Sequence, residues 1–132
     1  MLTISISVIF FLPLSNNREL EIMDIKTLIH HNLDELFYLA DKKEILDTEL
    51  VVKIGAYVGA AVLRGRYADQ KEVTMEEVNG VFGVIGDFCR DSFGGRSFSK
   101  VHFNKMTKLA LELVQETTFD SDVEEFIASL RS

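Results

Sequence analysis

The chain has 132 residues, of which 47% are hydrophobic, and its formal net charge is −7. This length fits one domain, and the apolar content can fill a core, which excludes a disordered chain. The single cysteine, Cys89, excludes an internal disulfide framework and a cysteine-based zinc site. The acidic charge argues against a general nucleic-acid binder, because neutralising phosphates requires a cationic face.

The first 22 residues differ from the rest of the chain and open with an uncharged run, MLTISISVIFFLPL. This run is shorter than the roughly 20 apolar residues of a transmembrane helix. It also lacks the basic start and the cleavage site of a signal peptide, although a signal or anchor stays an alternative. Its alternation of apolar residues with Thr and Ser favours a β-strand, if it folds. Our preferred hypothesis is that the native protein starts at Met23 and that residues 1–22 are translated upstream sequence. Residues 23–132 would then form a single helical domain.

The codons that could encode this leader would explain why its first residue was taken as the start of the protein. Arg18-Glu19 can be encoded by AGG-GAG, a purine-rich stretch that resembles a bacterial ribosome-binding site, and Met23 follows it. This spacing would make Met23 the true first residue. It also suggests a bacterial or phage gene.

Helical periodicity begins at Asp24, where apolar residues start to recur with the spacing i, i+3, i+4. The first helix is predicted to have Asp24 as its N-cap and to end at residues 41–43. The second helix is predicted to begin at Asp47 or Thr48 and to end at Gly65, a residue type that commonly terminates helices.

The third helix has the clearest start in the sequence. Thr74 and Glu77 have the spacing of a capping box, in which each side chain binds the backbone N–H of the other residue. Apolar residues then recur along one helical face. The two glycines at 94–95 are predicted to end this helix.

Two further helices are predicted near the carboxyl end. The fourth begins at Ser99, with Phe98 and Phe103 spaced as a hydrophobic staple across the cap. A second capping box, Ser121 with Glu124, is predicted to start a short last helix. The predicted fold is therefore all-α, a compact bundle of about five helices.

Glycines are unusually frequent inside the second and third helices: Gly55, Gly59, Gly80, Gly83 and Gly86. Each glycine within a helix costs about 0.5–1 kcal/mol relative to alanine, so a compensating close approach of another helix is expected. That approach could occur within the monomer or at a self-association or ligand-binding face. Residues 80–86 could alternatively be non-helical. The spacing does not match the dinucleotide-binding GxGxxG motif, and no strand precedes it.

A basic segment follows the third helix, since residues 96–108 carry four cations and no acid. A glycine turn leading into a helix N-terminus offers free N–H groups and a favourable dipole for an anion. The candidate anion-binding residues are Gly94, Gly95, Arg96, Ser97, Ser99 and Lys100. An ordinary capped loop is the alternative interpretation, and a contact with nucleic acid or an acidic protein is a third. The segment matches neither the EF-hand nor the phosphate-loop motif.

Two histidines of the first helix are candidate metal ligands. His30 and His31 precede Asp34 and Glu35 by four residues, which places each pair on one helical face. Two ligands do not make a site, and the third histidine, His102, is far away in sequence. A solvated helix face is therefore expected, and no metal site is predicted.

No catalytic motif or cofactor signature is recognisable in the sequence. Cys89 has acidic neighbours at Asp87 and Asp91, a setting that disfavours a reactive thiolate, so a buried structural cysteine is expected. By elimination, the sequence predicts a small, cytoplasmic, non-enzymatic binding or regulatory protein without a cofactor. It would act through protein–protein contacts, with self-association left open. The alternative is a small-anion or nucleotide-phosphate binder that uses the segment Gly94–Lys100.

Overall fold

A computed structural model describes residues 25–66 and 74–132, and these residues form five α-helices with no β-strand among them. The helices are α1 (Ile25–Lys42), α2 (Thr48–Arg66), α3 (Met75–Ser97), α4 (Lys100–Gln115) and α5 (Phe119–Arg131). The prediction of an all-α bundle is confirmed. The leader 1–22 and the predicted N-cap Asp24 lie outside the described residues.

The central helix is α2, which packs against α1, α3 and α4 and has its most extensive contact with α4. Small residues on α2 let side chains of the neighbouring helices approach its backbone closely. A methyl group placed at Gly55 would overlap Met106 of α4, and one at Gly59 would overlap the ring of Phe82 of α3. These two glycines therefore make close contacts inside the monomer. The helix continues to Arg66, past the predicted end at Gly65, because an internal glycine weakens a helix without stopping it.

The predicted start of α2 and the predicted capping box of α3 are confirmed. The Thr74 N–H donates to Oε1 of Glu77 over 2.7 Å, and the Glu77 N–H donates to Oγ1 of Thr74 over 3.2 Å. At the start of α2, the Leu50 N–H donates to Oδ1 of Asp47 over 2.8 Å. In both cases a short side chain satisfies a backbone donor that has no partner within the helix.

The predicted glycine turn between α3 and α4 is wrong. Helix α3 continues through residues 94–95 to Ser97, and only two residues separate it from α4. Phe93 is partly buried against the core and Phe98 is 1% exposed, so apolar anchors lie on both sides of the glycines. Their burial outweighs the low helix propensity of glycine. The hydrophobic staple is confirmed, because the Phe98 ring meets the Phe103 ring edge-on at 6.5 Å.

Helix α5 begins earlier than predicted, so the capping box at Ser121 is wrong. Thr118 is the N-cap, and Oγ of Ser121 donates to the Thr118 carbonyl oxygen over 3.1 Å from within the first turn. The earlier start buries Phe119, which is 2% exposed. Burial of this ring favours the extra helical residues over the predicted cap.

The connection between α1 and α2 closes with a Schellman motif. The Ile45 N–H donates to the Ala40 carbonyl oxygen over 3.1 Å, and the Glu44 N–H donates to the Asp41 carbonyl oxygen over 2.9 Å. Glu44 has a φ of 60°, the left-handed conformation that this motif requires and that glycine usually supplies.

Helix α5 is held to the bundle by an aromatic contact near its middle and an ion pair at its end. The ring of Tyr57 on α2 stacks on Phe126 with 4.5 Å between ring centroids. Near the carboxyl terminus, Arg131 forms an ion pair with Glu35 of α1 over 3.0 Å. These contacts place α5 against α1 and α2.

Candidate functional site

A groove lies between the first turns of α1 and the exposed side of α3. It consists of two cavities of about 500 and 320 Å³ that share Lys26 of α1 and Val84 of α3. We call it the α1–α3 groove. Its dimensions fall within the range of pockets that bind small ligands or protein side chains.

The floor of the α1–α3 groove is apolar and continuous with the protein core. Val81 is buried, while Val84 and Phe88 are half-buried and pack against the core cluster. The Phe88 ring contacts the imidazole of His30 at 5.0 Å and the ring of Phe37 at 5.9 Å. These aromatic contacts hold the floor in place, so a partner would meet a preformed surface.

The rim of the groove is predominantly acidic. Four carboxylates line the two cavities, against a single lysine, Lys26; the carboxylates belong to Glu76, Glu77, Asp87 and Asp91. Glu77 belongs to the capping box of α3, and Asp87 binds Arg90 over 2.7 Å. Glu76 and Asp91 are exposed and form no ion pair with another residue of the two described ranges. The rim therefore keeps a negative charge, which favours a cationic partner.

Exposed glycines lie along α3 beside the groove. Gly80 lines the smaller cavity, and Gly83 lies one turn further on. A methyl group placed on either residue would meet no atom within 4 Å among the described residues. Of the alternatives that the sequence left open, close packing inside the monomer is therefore wrong at Gly80 and Gly83. Gly86 is different, since a methyl group there would lie 2.7 Å from the ring of Phe103.

Helix geometry explains why the three glycines of α3 differ. A step of three residues turns an α-helix through about 300°, so each successive glycine is displaced by about 60° around the axis. From Gly80 to Gly86 the displacement reaches about 120°. Gly86 therefore faces the core, whereas Gly80 and Gly83 face outward.

The predicted anion site has a different local structure from the one expected. Gly94 and Gly95 belong to α3, so they do not form a turn in front of α4. At the N-cap of α4, the Ser99 N–H donates to Nδ1 of His102 over 3.2 Å, and Oγ of Ser99 lies 2.9 Å from the same nitrogen. His102 thus occupies the backbone N–H and the hydroxyl of Ser99, one of the predicted anion-binding residues. Lys100 is exposed at the first position of the helix.

The histidines of α1 do not assemble a metal centre. Over residues 25–66 and 74–132, no group of three or more potential ligands among His, Cys, Asp and Glu is positioned to hold an ion. His30 packs against Phe88, and Glu35 is paired with Arg131. His31 and Asp34 are exposed on the helix surface.

Cys89 is fully buried in the middle of α3. Burial raises the pKa of its thiol to about 12, and the nearby positive charge of Arg90 lowers it only in part. The thiol therefore stays protonated at neutral pH. This is the environment of a structural cysteine, as the sequence predicted.

The chain matches no known protein family, and no curated protein or solved structure shows significant similarity to it. Across the described part of the chain, none of the helices has the length and apolar character needed to cross a membrane.

The glycines of α3 are recognisable in the sequence, but the groove beside them is not. The groove depends on Lys26 and His30 of α1 lying next to Val84 and Asp87, which are more than 50 positions away in the chain. One local signal was present. Asp87 and Asp91 are four residues apart, which puts two carboxylates on one face of α3 beside a partly apolar edge.

Proposed function

We propose that this protein is a non-enzymatic binding protein that recognises a basic protein partner through the α1–α3 groove. The observation that carries this proposal is the exposure of Gly80 and Gly83 within α3, directly beside the groove. Glycine at two exposed helical positions costs about 1–2 kcal/mol in total relative to alanine. No contact among the described residues offsets that cost, whereas close approach by a partner backbone would.

The shape and charge of the groove support the same proposal. The half-buried Val84 and Phe88 offer apolar surface to a partner side chain. The acidic rim favours cationic residues around that anchor, which increases the rate of encounter and selects against acidic partners. An apolar centre with a charged edge is the usual organisation of protein–protein interfaces.

The proposal can be tested with a defined probe, a fluorescein-labelled amphipathic helical peptide with lysines flanking a central alanine and leucine face. We expect fluorescence anisotropy to show binding that weakens on substituting Gly83→Leu, which fills the exposed backbone position. Glu76→Lys should also weaken binding. Both effects should appear without loss of helical circular dichroism.

Matched control variants carry the same changes on exposed positions of α5, away from the groove. Ala128→Leu places the same leucine side chain on an exposed helical position, and Glu124→Lys makes the same charge change. Both should bind the peptide as the unmodified chain does. Equal losses in the groove variants and in the α5 variants would show non-specific attraction to an acidic protein and would reject the groove.

A further inference from the structure

The surface of α4 carries a complement to the α1–α3 groove. We propose that a second copy of this chain binds in the groove through the exposed face of its α4, in a head-to-tail manner. This inference rests on the proposed function, since it names the basic partner of the same groove. We call this surface the α4 lysine face, and it consists of Lys100, Val101, Lys105 and Lys108.

The α4 lysine face has the chemistry that the groove requires. All three lysines are exposed, and within the described ranges none of them forms an ion pair with a carboxylate. Val101 lies among them with 63% of its surface exposed, one of few large apolar side chains in such a position. The face therefore presents one apolar side chain surrounded by unpaired positive charge.

The spacing of the two surfaces also agrees. Val101 and Lys108 are seven residues apart on α4, as are Gly83 and Glu76 on α3. Seven residues correspond to about 10 Å along a helix. If α4 of one copy lies antiparallel to α3 of another with Val101 over Gly83, then Lys108 is level with Glu76.

The same register places the remaining charges favourably. Lys100 would lie within one helical turn of Asp87, and Lys105 would lie level with Asn79, next to Gly80. Gly83, lacking a side chain, leaves room for the isopropyl group of Val101. The exposed glycines of α3 thereby receive a specific role, which is to admit the apolar residue of the lysine face.

The symmetry of this contact determines the form of the assembly. The groove and the lysine face are different surfaces. When two copies bind, one copy still has a free lysine face and the other still has a free groove, so further copies can add. Such a heterologous contact builds a chain or a closed ring instead of a two-fold dimer. The net charge of −7 makes the copies repel at a distance, which opposes their association.

Sedimentation velocity with two complementary variants tests the inference. The groove-blocked variant carries Gly83→Leu and Glu76→Lys, and the face-blocked variant carries Lys105→Glu and Lys108→Glu. We expect the unmodified protein to form larger species as its concentration rises. Each variant alone should stay monomeric, with an association constant at least about tenfold lower, because like charges then oppose each other.

The decisive measurement is an equimolar mixture of the two variants. The face-blocked variant retains an intact groove and the groove-blocked variant retains an intact lysine face, so the mixture should form a 1:1 dimer that grows no further. Circular dichroism melts test whether each variant folds. If the face-blocked variant does not fold, the single substitution Val101→Glu is used in its place.

The inference would be overturned if the unmodified protein were monomeric at every concentration. It would also be overturned if the groove-blocked variant still self-associated. The third such result is a mixture of the two variants that stays monomeric while the unmodified protein assembles. The first of these leaves the proposed function intact if the labelled lysine peptide still binds in the groove. Failure of the peptide and of self-association together would reject both.

Discussion

Arg64 near the end of α2 donates a hydrogen bond from Nη1 to the carbonyl oxygen of Val114 over 2.8 Å. The same nitrogen lies 3.4 Å from the carbonyl oxygen of Glu116, and the guanidinium carbon is 4.9 Å from the centre of the Phe119 ring. The last carbonyl groups of a helix have no partner within it and carry partial negative charge. Arg64 satisfies one of them in α4, at Val114, and also packs on the first residue of α5, so it joins three helices.

Arg64→Met should destabilise the fold while keeping most of the apolar stem of the side chain. The loss of charged hydrogen bonds to the end of α4 is expected to lower the free energy of unfolding by about 1.5–3 kcal/mol. The free energy of unfolding of Arg64→Lys should lie between those of the unmodified protein and of Arg64→Met, because lysine retains the charge but not the planar guanidinium group. Urea denaturation measures all three proteins. A Met variant as stable as the unmodified chain would show that the contact contributes nothing.

Glycine-to-alanine substitutions should have opposite effects at two positions of similar sequence context. Gly83→Ala should stabilise the isolated protomer by about 0.5–1 kcal/mol, because its methyl group enters open space and alanine has the higher helix propensity. Gly59→Ala should destabilise it, because the methyl group would overlap the ring of Phe82. Thermal melts at low protein concentration separate the two. A lower melting temperature for Gly83→Ala would mean that this position is closely packed after all.

Asn32 is the fully buried polar side chain of the core, and its amide nitrogen and oxygen have no hydrogen-bond partner in the described structure. Leaving such groups unpaired costs about 1–3 kcal/mol. Asn32→Leu, with a similar branched shape, should therefore raise the free energy of unfolding. Asn32→Asp should lower it, since a buried carboxylate is harder still to accommodate. If Leu destabilised the protein, the amide would have a polar partner that stabilises it.

Stability should fall at alkaline pH because of Cys89. Its pKa is raised from 9.0 to about 12 by burial, so between these values the folded state holds the proton that the unfolded state releases. The stabilisation is complete below pH 9 and is lost as the pH rises toward 12, at up to about 1.4 kcal/mol per pH unit. Burial also raises the pKa of Tyr57, with contributions from Asp122 and Glu125, so its effect has the same sign above pH 10.

The variant Cys89→Ala isolates the thiol between pH 9 and 10, because both proteins contain Tyr57 and its contribution cancels from their difference. We expect the stability difference between the unmodified protein and this variant to narrow over that interval, as measured by urea titrations at each pH. Parallel pH profiles for the two proteins would show that Cys89 does not release its proton on unfolding.

Glu44→Gly should stabilise the connection between α1 and α2. Glu44 has a φ of 60°, a conformation that costs a residue with a side chain about 1 kcal/mol more than glycine. The melting temperature should therefore rise, whereas Glu44→Val should lower it because a branched side chain fits this conformation least well. An unchanged melting temperature in both variants would indicate that the Schellman motif is not stabilising.

Local chemistry was predictable from the sequence, and long-range contact was not. The box at Thr74 and the cap at Asp47 involve residues three positions apart, so their spacing alone is sufficient. Sequence could not indicate that Arg64 would reach Val114, fifty positions away. The spacing of three in the glycines of α3 was visible, but its gradual rotation around the helix axis was not applied. The sequence therefore left open whether Gly80 and Gly83 pack inside the monomer or lie on an exposed face.

The enclosure of α2 has a consequence for how the protein opens. Because α1, α3 and α4 all pack on α2, removing any one of them would expose apolar surface on the central helix. The amide protons of α2 should therefore exchange with solvent only through global unfolding, while those of α5, attached along one side, exchange through smaller openings. The protein would thus consist of one cooperative unit and a terminal helix that can detach from it.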